Sequence, residues 1–126
     1  MLIALVGAAL FSSQAVEAAA DPQLTVRDLS RMCGSTAAAD QRGCNMFILG
    51  AFEGLALAGG TEQHEGRYVP KERGKQFCVP DNLPNAVMRD KIVGLIDLDL
   101  KAYPSDAELP AISWIGGVIT TTWPCP

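Results

Sequence analysis

Apolar residues recur at helical spacing in several stretches of the chain, and these stretches predict its main helices. The clearest helix covers residues 44–58. Its apolar stripe is formed by Phe47, Ile48, Ala51, Phe52 and Leu55. A shorter helix is predicted over residues 26–32, because Thr25 and Asp28 have the spacing of a capping box with Asp in place of Glu. The Ala- and Gly-rich segment 33–43 is predicted as the loop between the two helices.

A third helix is predicted to begin near Pro84, with Asp81 or Asn82 as its N-cap, and to end at Tyr103-Pro104. Its buried face is predicted to consist of Val87, Met88, Ile92, Leu95, Ile96 and Leu100.

The last segment, residues 107–122, is ambiguous by its pattern. Ser105 and Asp106 are suitable N-caps for a helix. The isoleucines of the segment and its run of threonines, Thr120 to Thr122, favour a strand instead. The pattern alone leaves helix and strand open.

Small residues form a second line along the 44–58 helix, at Gly50, Gly54 and Ala58. Each mid-helix glycine costs about 0.5–1 kcal/mol relative to alanine. Two interpretations stay open. Either a partner helix packs closely on this side, in the same chain or in a homodimer, or the glycines simply weaken a helix at the edge of the domain.

Residues 59–76 are polar, rich in glycine and almost free of aliphatic side chains. Gly59-Gly60 predicts the end of the preceding helix, and the remainder predicts a long surface loop without regular structure. Long loops in compact domains often carry function, and the alternative is a merely flexible segment. His64 in this loop is predicted to be a solvated residue rather than a general base.

The N-terminal region has the pattern of a secretory signal peptide. Residues 2–11 are an uncharged apolar run, residues 12–20 are small and mostly polar or neutral, and Ala18-Ala19-Ala20 matches a cleavage signal. We predict cleavage after Ala20, which leaves residues 21–126 as a single domain. A basic segment before the apolar run is missing, so the alternative is an N-terminal helix of the mature fold. A membrane anchor is disfavoured because ~20 residues are needed to span a bilayer.

Charge and cysteine content narrow the function classes. The chain has 126 residues and a formal net charge of −4, so a basic nucleic-acid interface and polybasic contact with lipid are not expected. Its single histidine excludes a multi-histidine metal site. An even number of cysteines in a small exported domain favours two disulfides, formed by Cys33, Cys44, Cys78 and Cys125. Zinc is the alternative, but the paired C-x₂₋₄-C spacing of zinc sites is missing.

The sequence contains no recognisable catalytic motif. A GxGxxG fingerprint, a P-loop, an HExxH helix and a GxSxG nucleophile elbow are all missing from it. Asp97 and Asp99 are two positions apart, so on a helix their side chains diverge and cannot act as an acid–base pair. Glu53 is predicted on the exposed flank of its helix. The sequence therefore predicts a binding protein without a cofactor, and not an enzyme.

Four sequence features follow one another in an order typical of one family. They are a cysteine that opens a helix with aromatic and glycine positions (CNMFILGAFEGL, 44–55), the FCVP motif at 77–80, the helix-ending Tyr103-Pro104, and Pro110-Ala111 before a last segment that ends in Trp123-Pro124-Cys125. In these features the chain resembles the Rap/Tai immunity proteins of type VI secretion systems. The resemblance covers residues 24–125 apart from the loop 59–76.

The resemblance implies an all-α fold, a small bundle of about four helices with two disulfides, located in the periplasm. It implies that residues 107–122 form a helix, with a kink expected at Gly116-Gly117 because the family would have an Ala- and Leu-rich helix there. The family's role is to bind and neutralise a peptidoglycan amidase delivered by neighbouring cells. The implied partner is therefore a protein effector, with neither nucleic acid nor, after cleavage, a membrane.

Four cysteines allow three connectivities, and within this scaffold we prefer Cys33–Cys44 with Cys78–Cys125. The first bond would tie the short helix to the start of the central one. In the chain-entropy model the shorter loop contributes roughly 3 kcal/mol and the longer one roughly 4 kcal/mol. A core held in this way would leave residues 59–76 available as a binding surface.

Within that loop we expect effector contacts at Glu62, His64, Glu65, Arg67 and Tyr68. Tyr and Arg are enriched at binding hot spots, and a protruding loop can enter a cleft. The alternative function is a small helical, disulfide-bonded periplasmic stress chaperone, which would expose apolar surface at low pH. An enzyme with an unfamiliar site is a third and weaker alternative.

Overall fold

The structure is a computed structural model that describes residues 23–71 and 74–126. Its four α-helices are α1 (Val26–Gly34), α2 (Ala38–Leu57), α3 (Asn85–Ala102) and α4 (Ala111–Thr122). Between α2 and α3 lies an antiparallel hairpin of β1 (Thr61–His64) and β2 (Arg67–Pro70), and a short 3-10 helix (Pro104–Glu108) precedes α4.

The prediction of about four helices and two disulfides is confirmed. The all-α assignment is wrong at one place, since the segment 59–76 contains the hairpin rather than an irregular loop. The predicted signal peptide, residues 1–20, lies outside the described residues.

The core lies where the four helices meet. Its fully buried side chains are Leu29, Ile48, Ile92, Ile96, Ile115, Ile119, Val26 and Cys44. On α2 the predicted stripe is confirmed, with Ile48, Ala51 and Phe52 buried. On α3 the prediction for Val87 is wrong. That side chain is 51% exposed, because it lies one position before Met88 and therefore off the buried face.

The helix α1 begins at a complete capping box, as the Thr25/Asp28 spacing predicts. The backbone N–H of Asp28 donates to Thr25 Oγ1 at 3.2 Å. In return, the Thr25 backbone N–H and hydroxyl donate to Asp28 Oδ2 at 3.1 and 2.8 Å. The pKa of the Asp28 carboxyl is lowered below its ordinary value, chiefly by the backbone hydrogen bond from Thr25 and then by the bond from its hydroxyl.

The N-terminal ends of α1 and α4 exchange backbone hydrogen bonds. The Val26 N–H donates to the Leu109 carbonyl at 3.0 Å, and the Ala111 N–H donates to the Leu24 carbonyl at 2.8 Å. The first N–H groups of a helix have no acceptor within it. Each of these two helices therefore obtains one acceptor from the residue two positions before the start of the other.

The predicted start of α2 and the predicted N-caps of α3 and α4 are wrong. The helix α2 begins at Ala38, well before Cys44, because an alanine-rich segment has high helix propensity even without apolar periodicity. The helices α3 and α4 have Pro84 and Pro110 at their N-caps and no side-chain cap. The expected caps, Asp81 or Asn82 for α3 and Ser105 or Asp106 for α4, are not used.

The last helix confirms the expectation drawn from the family resemblance and removes the strand alternative. It runs without interruption from Ala111 to Thr122, through Gly116-Gly117. The hydroxyls of Thr120 and Thr121 donate to the Gly117 carbonyl at 2.9 and 2.8 Å. The β-branched threonines thus satisfy their polar groups within the helix itself, which is why β propensity misleads here.

Both preferred disulfides are present. Cys33–Cys44 closes a separation of 11 residues and joins the C-terminal end of α1 to α2. Cys78–Cys125 closes a separation of 47 residues and joins the segment before α3 to the C-terminus. No cysteine is free.

The glycine line of α2 does not receive a helix from the same chain. Gly50 and Gly54 are exposed, and a Cβ placed on either would meet no heavy atom within 4 Å. Of the two interpretations, close packing within the described chain is therefore wrong.

Candidate functional site

The segment that follows α2 forms the hairpin, and its turn explains why. Glu65 and Gly66 occupy the two central positions, with φ of 48° and 75°. Two consecutive positive φ angles are typical of the type I′ turn, whose twist matches that of antiparallel strands. Such a turn needs Gly, Asn or Asp at one position or both, and Gly66 supplies that here. The residues on either side pair in register, with His64 opposite Arg67.

The base of the hairpin is closed by backbone contacts between glycines. A Cβ placed on Gly59 would lie 2.8 Å from the Gly74 carbonyl oxygen, so the two segments cross at a distance that only glycine permits. Gly60 has φ of +88°, and its carbonyl accepts the Lys71 N–H at 3.0 Å. The hairpin therefore projects from a narrow, defined base.

All five predicted contact residues lie on this hairpin and all are exposed. The structure separates them by face. Side chains alternate along a strand and paired residues share a face, so Glu62, His64 and Arg67 lie on one side. Tyr68, which is 77% exposed, lies on the other side, and Glu65 is at the tip.

Sequence reasoning missed Gln63, which pairs with Tyr68 on the second face. It is exposed and carries both a donor and an acceptor. The signal that would have found it is the Glu65-Gly66 dipeptide, since a two-residue turn defines the register of its flanking residues.

The hairpin's exit is fixed to the core by an aromatic group. Phe52 of α2 packs edge-on against Phe77 and Trp123, with ring centroids 5.9 and 5.5 Å apart. The Cys78 N–H donates to the Trp123 carbonyl at 2.8 Å, next to the Cys78–Cys125 disulfide. An apolar recess of about 210 Å³ lies beside this point, lined by Leu55, Ala56 and residues 75–79.

A polar groove of about 370 Å³ lies between α2 and α3. Within it, an Arg89 guanidinium nitrogen donates to Gln41 Oε1 at 2.9 Å and another to Asp90 at 2.7 Å. Gln41 in turn donates to the Ser35 and Cys33 carbonyls at the end of α1. These bonds link three helices, so we assign the group a structural role.

The two carboxylates of α3 diverge as predicted. Asp99 accepts a hydrogen bond from Trp114 Nε1 at 2.8 Å, whereas Asp97 is exposed. Glu53 is exposed on α2, also as predicted. Across residues 23–71 and 74–126 no three His, Cys, Asp or Glu side chains form a potential metal-binding group. No helix within the same ranges is long and apolar enough to cross a membrane.

Comparison with known proteins decides the family. The family model of the Rap1a immunity proteins matches residues 25–125. The chain belongs to this family. The match covers all four helices, both disulfides and the hairpin. Membership of the Rap1a family implies an immunity role directed at a type VI effector, and hence binding to an effector protein. Searches of curated proteins and of solved structures found no match.

Proposed function

We propose that the protein is a periplasmic immunity protein that binds a peptidoglycan amidase effector of a type VI secretion system and inhibits it, and that the hairpin makes the inhibitory contact. The observation that carries the proposal is the hairpin itself. In a member of an immunity family, it is an exposed projection on a base fixed by a disulfide and an aromatic group.

The dimensions of the hairpin suit entry into an enzyme cleft. Four residues per strand at about 3.3 Å each give a projection about 13 Å long, and strand spacing makes its backbone about 5 Å wide. An amidase of this class must admit a peptide stem of peptidoglycan to its active site. A narrow backbone ribbon with side chains on both faces is a suitable blocking group for such a cleft.

The two faces of the hairpin carry different side chains, so the proposal assigns a different kind of contact to each face. Glu62, His64 and Arg67 present charged and polar groups that can pair with a polar cleft wall. Tyr68 presents a large ring, 77% exposed, on the opposite side, and a tyrosine that becomes buried on binding is a typical hot spot. Because the backbone pairing holds the strands in one conformation, little conformational entropy is lost on binding.

The test is a protection assay combined with a binding measurement. An amidase encoded beside this gene is exported to the periplasm of a test strain, with and without the protein. We expect protection from lysis by the full chain and none after deletion of residues 1–20, because the amidase acts outside the cytoplasm. Mass spectrometry of the periplasmic protein should give a mature chain that begins at Asp21.

The hairpin's part in binding is tested by Tyr68→Ala against the control Tyr103→Ala, which removes an exposed tyrosine outside the hairpin. A hot spot worth at least 2 kcal/mol predicts a loss of affinity of about 30-fold or more for Tyr68→Ala. Tyr103→Ala should bind like the wild type. Unchanged inhibition after alanine substitution throughout 62–68 would move the contact away from the hairpin.

The chaperone alternative makes a different prediction. A stress chaperone would bind an apolar dye and suppress aggregation of unrelated proteins as the pH falls, whereas an immunity protein stays folded. Family membership supports the immunity role, and dye binding measured across pH separates the two.

A further inference from the structure

The two disulfides of the domain differ in their exposure to solvent. Cys33 is 7% exposed and Cys44 is fully buried, so we call their disulfide the buried bond. Cys78 and Cys125 are only half-buried, and we call their disulfide the surface bond. Cys125 Sγ lies 3.8 Å from the Lys75 carbonyl oxygen, and this contact is open to solvent. The helices therefore shield one bond from a reagent in solution and leave the other accessible.

The backbone around the two bonds differs as well. The buried bond joins two helices, α1 and α2, so a reagent can reach it only after part of these helices has opened. The surface bond joins the segments 74–84 and 123–126, and neither contains helix or strand. Residues 124–126 form no backbone hydrogen bond with any residue that the structure describes. The surface bond is therefore what holds these last residues to the domain.

A recess opens beside one end of the surface bond. It is the apolar recess of about 210 Å³ lined by Leu55, Ala56 and residues 75–79, a set that includes Cys78 but not Cys125. Its volume is roughly seven times the ~30 Å³ that one molecule of liquid water occupies, so it has room for the CH₂–SH group of a thiol. A thiolate must reach one of the two sulfur atoms before exchange can begin. The recess provides that access on the side of Cys78.

We propose that the Cys78–Cys125 disulfide is a site of thiol–disulfide exchange in the folded protein, with a dithiol as its co-reactant. One thiolate of the dithiol attacks Cys78 Sγ from the recess, and Cys125 leaves as a thiolate that takes up a proton. The second thiolate of the dithiol then displaces Cys78 from the mixed disulfide, and Cys78 is protonated in turn. The protein gains two electrons and two protons, and the dithiol becomes a disulfide. The reverse sequence closes the bond again.

The reduced state keeps the contacts that surround the bond. The Cys125 thiol has an acceptor at 3.8 Å in the Lys75 carbonyl, which is within hydrogen-bonding range for sulfur. The Cys78 N–H still donates to the Trp123 carbonyl at 2.8 Å, and the buried bond stays closed. We therefore expect a folded protein with one open and one closed disulfide, in which residues 124–126 are released. The proposal concerns the chemistry of the bond and does not rest on the proposed function.

The test is a timed reaction of the oxidised protein with dithiothreitol under native conditions. An excess of alkylating reagent stops the reaction, and peptide mass spectrometry identifies each free thiol. We expect the surface bond to open at least about 100-fold faster than the buried bond, because only the buried bond must wait for the helices to open. In denaturant, where both bonds are accessible, the two rates should be similar. Thioredoxin in place of dithiothreitol shows whether a cysteine pair of a protein reaches the same sulfur as a small dithiol does.

Two matched variants assign the rates to the bonds. Cys33→Ala/Cys44→Ala keeps only the surface bond and should react as fast as the wild type does at that bond. Cys78→Ala/Cys125→Ala keeps only the buried bond and should react slowly. Glutathione, a monothiol, allows the first step to be trapped, and we expect its mixed disulfide on Cys78.

Three results would overturn the proposal. The first is equal rates for the two bonds in the native wild type. The second is loss of the helical circular dichroism at the rate at which the surface bond opens, since exchange would then follow unfolding. The third is a glutathione adduct on Cys125 instead of Cys78, which would contradict attack from the recess. Circular dichroism of each variant before the reaction shows that it is folded.

Discussion

The helical core and the hairpin are stabilised in different ways. In the core, buried side chains such as Ile48 and Ile115 carry the contacts. One disulfide joins α1 to α2, and the other joins the segment before α3 to the C-terminus. In the hairpin, residues 61–68 are all exposed and the structure depends on backbone pairing, a two-residue turn and the glycine crossing at its base. One region uses its side chains for stability, and the other leaves them free.

Under the proposed function, this difference separates folding from effector binding. A side chain of the hairpin can be replaced without opening a cavity, because it fills no space in the core. A buried side chain cannot be replaced at so little cost. We therefore expect substitutions in the hairpin to change binding with little effect on unfolding, and substitutions in the core to do the reverse.

The largest expected effect breaks the connection between the two regions. The double variant Cys78→Ala/Cys125→Ala should lose roughly 4 kcal/mol of unfolding free energy, since its bond closes 47 residues. Cys33→Ala/Cys44→Ala, whose bond closes 11 residues, should lose roughly 3 kcal/mol. Denaturant unfolding of the oxidised proteins measures both. Effector binding should fall only in the first variant, at temperatures where both are folded, because only that bond adjoins the hairpin's exit.

Equal losses of binding in the two cysteine variants would contradict this division. They would show that the disulfides support the hairpin through overall stability alone. The comparison between core and hairpin would then need another explanation.

An intermediate effect is expected when either of two nearby glycines is replaced by alanine. The two substitutions should change the free energy of unfolding in opposite directions. Gly59→Ala forces a Cβ to within 2.8 Å of the Gly74 carbonyl oxygen and should cost about 1–3 kcal/mol, a typical value for overpacking. Gly54→Ala, on an open helix surface, should stabilise the protein by about 0.5–1 kcal/mol. Thermal unfolding gives the signs. A stabilised Gly59→Ala variant would mean that the hairpin's base is free to move apart.

The smallest effect concerns the capping box and pH. The lowered pKa of Asp28 means that its carboxylate stabilises the fold above the unfolded-state pKa. This contribution is lost as the pH falls through the lower folded-state pKa. The wild type should therefore be more stable than Asp28→Asn at neutral pH, with the difference shrinking toward acid pH. Unfolding measured from pH 7 to pH 2 checks this, with the exposed Asp97→Asn as control. A difference that does not change with pH would contradict the assignment.

The sequence predicts the core well where local rules are sufficient. The spacing of Thr25 and Asp28 gives the start of α1, and the apolar stripe of α2 gives its buried face. The last helix required more than its own residues. Its threonines favour a strand by propensity, and only the order of motifs along the chain indicated a helix.

The wrong predictions concern places where a helix begins without a side-chain cap or where the backbone forms a turn. Pro84 and Pro110 begin α3 and α4 without a side-chain cap, so a search for Asp, Asn or Ser at those starts finds the wrong residues. The hairpin was missed because its strands show no alternation of apolar and polar residues. Its only local signal is the Glu65-Gly66 turn.

The sequence predicts which segment carries the candidate site, but not which of its residues share a face. The chain sequence places Glu62, His64, Arg67 and Tyr68 close together, and in the structure they lie on the hairpin. Their division into two faces depends on register. Register is a property of the turn, and a one-residue shift would exchange the faces.

The reciprocal hydrogen bonds at the starts of α1 and α4 place a limit on maturation. Since the Leu24 carbonyl accepts the Ala111 N–H, the folded domain needs the polypeptide to be intact from that residue onward. Cleavage after Ala20 would leave only residues 21–23 before Leu24. A protease that removed Leu24 before α1 would also remove the acceptor for the Ala111 N–H at the start of α4.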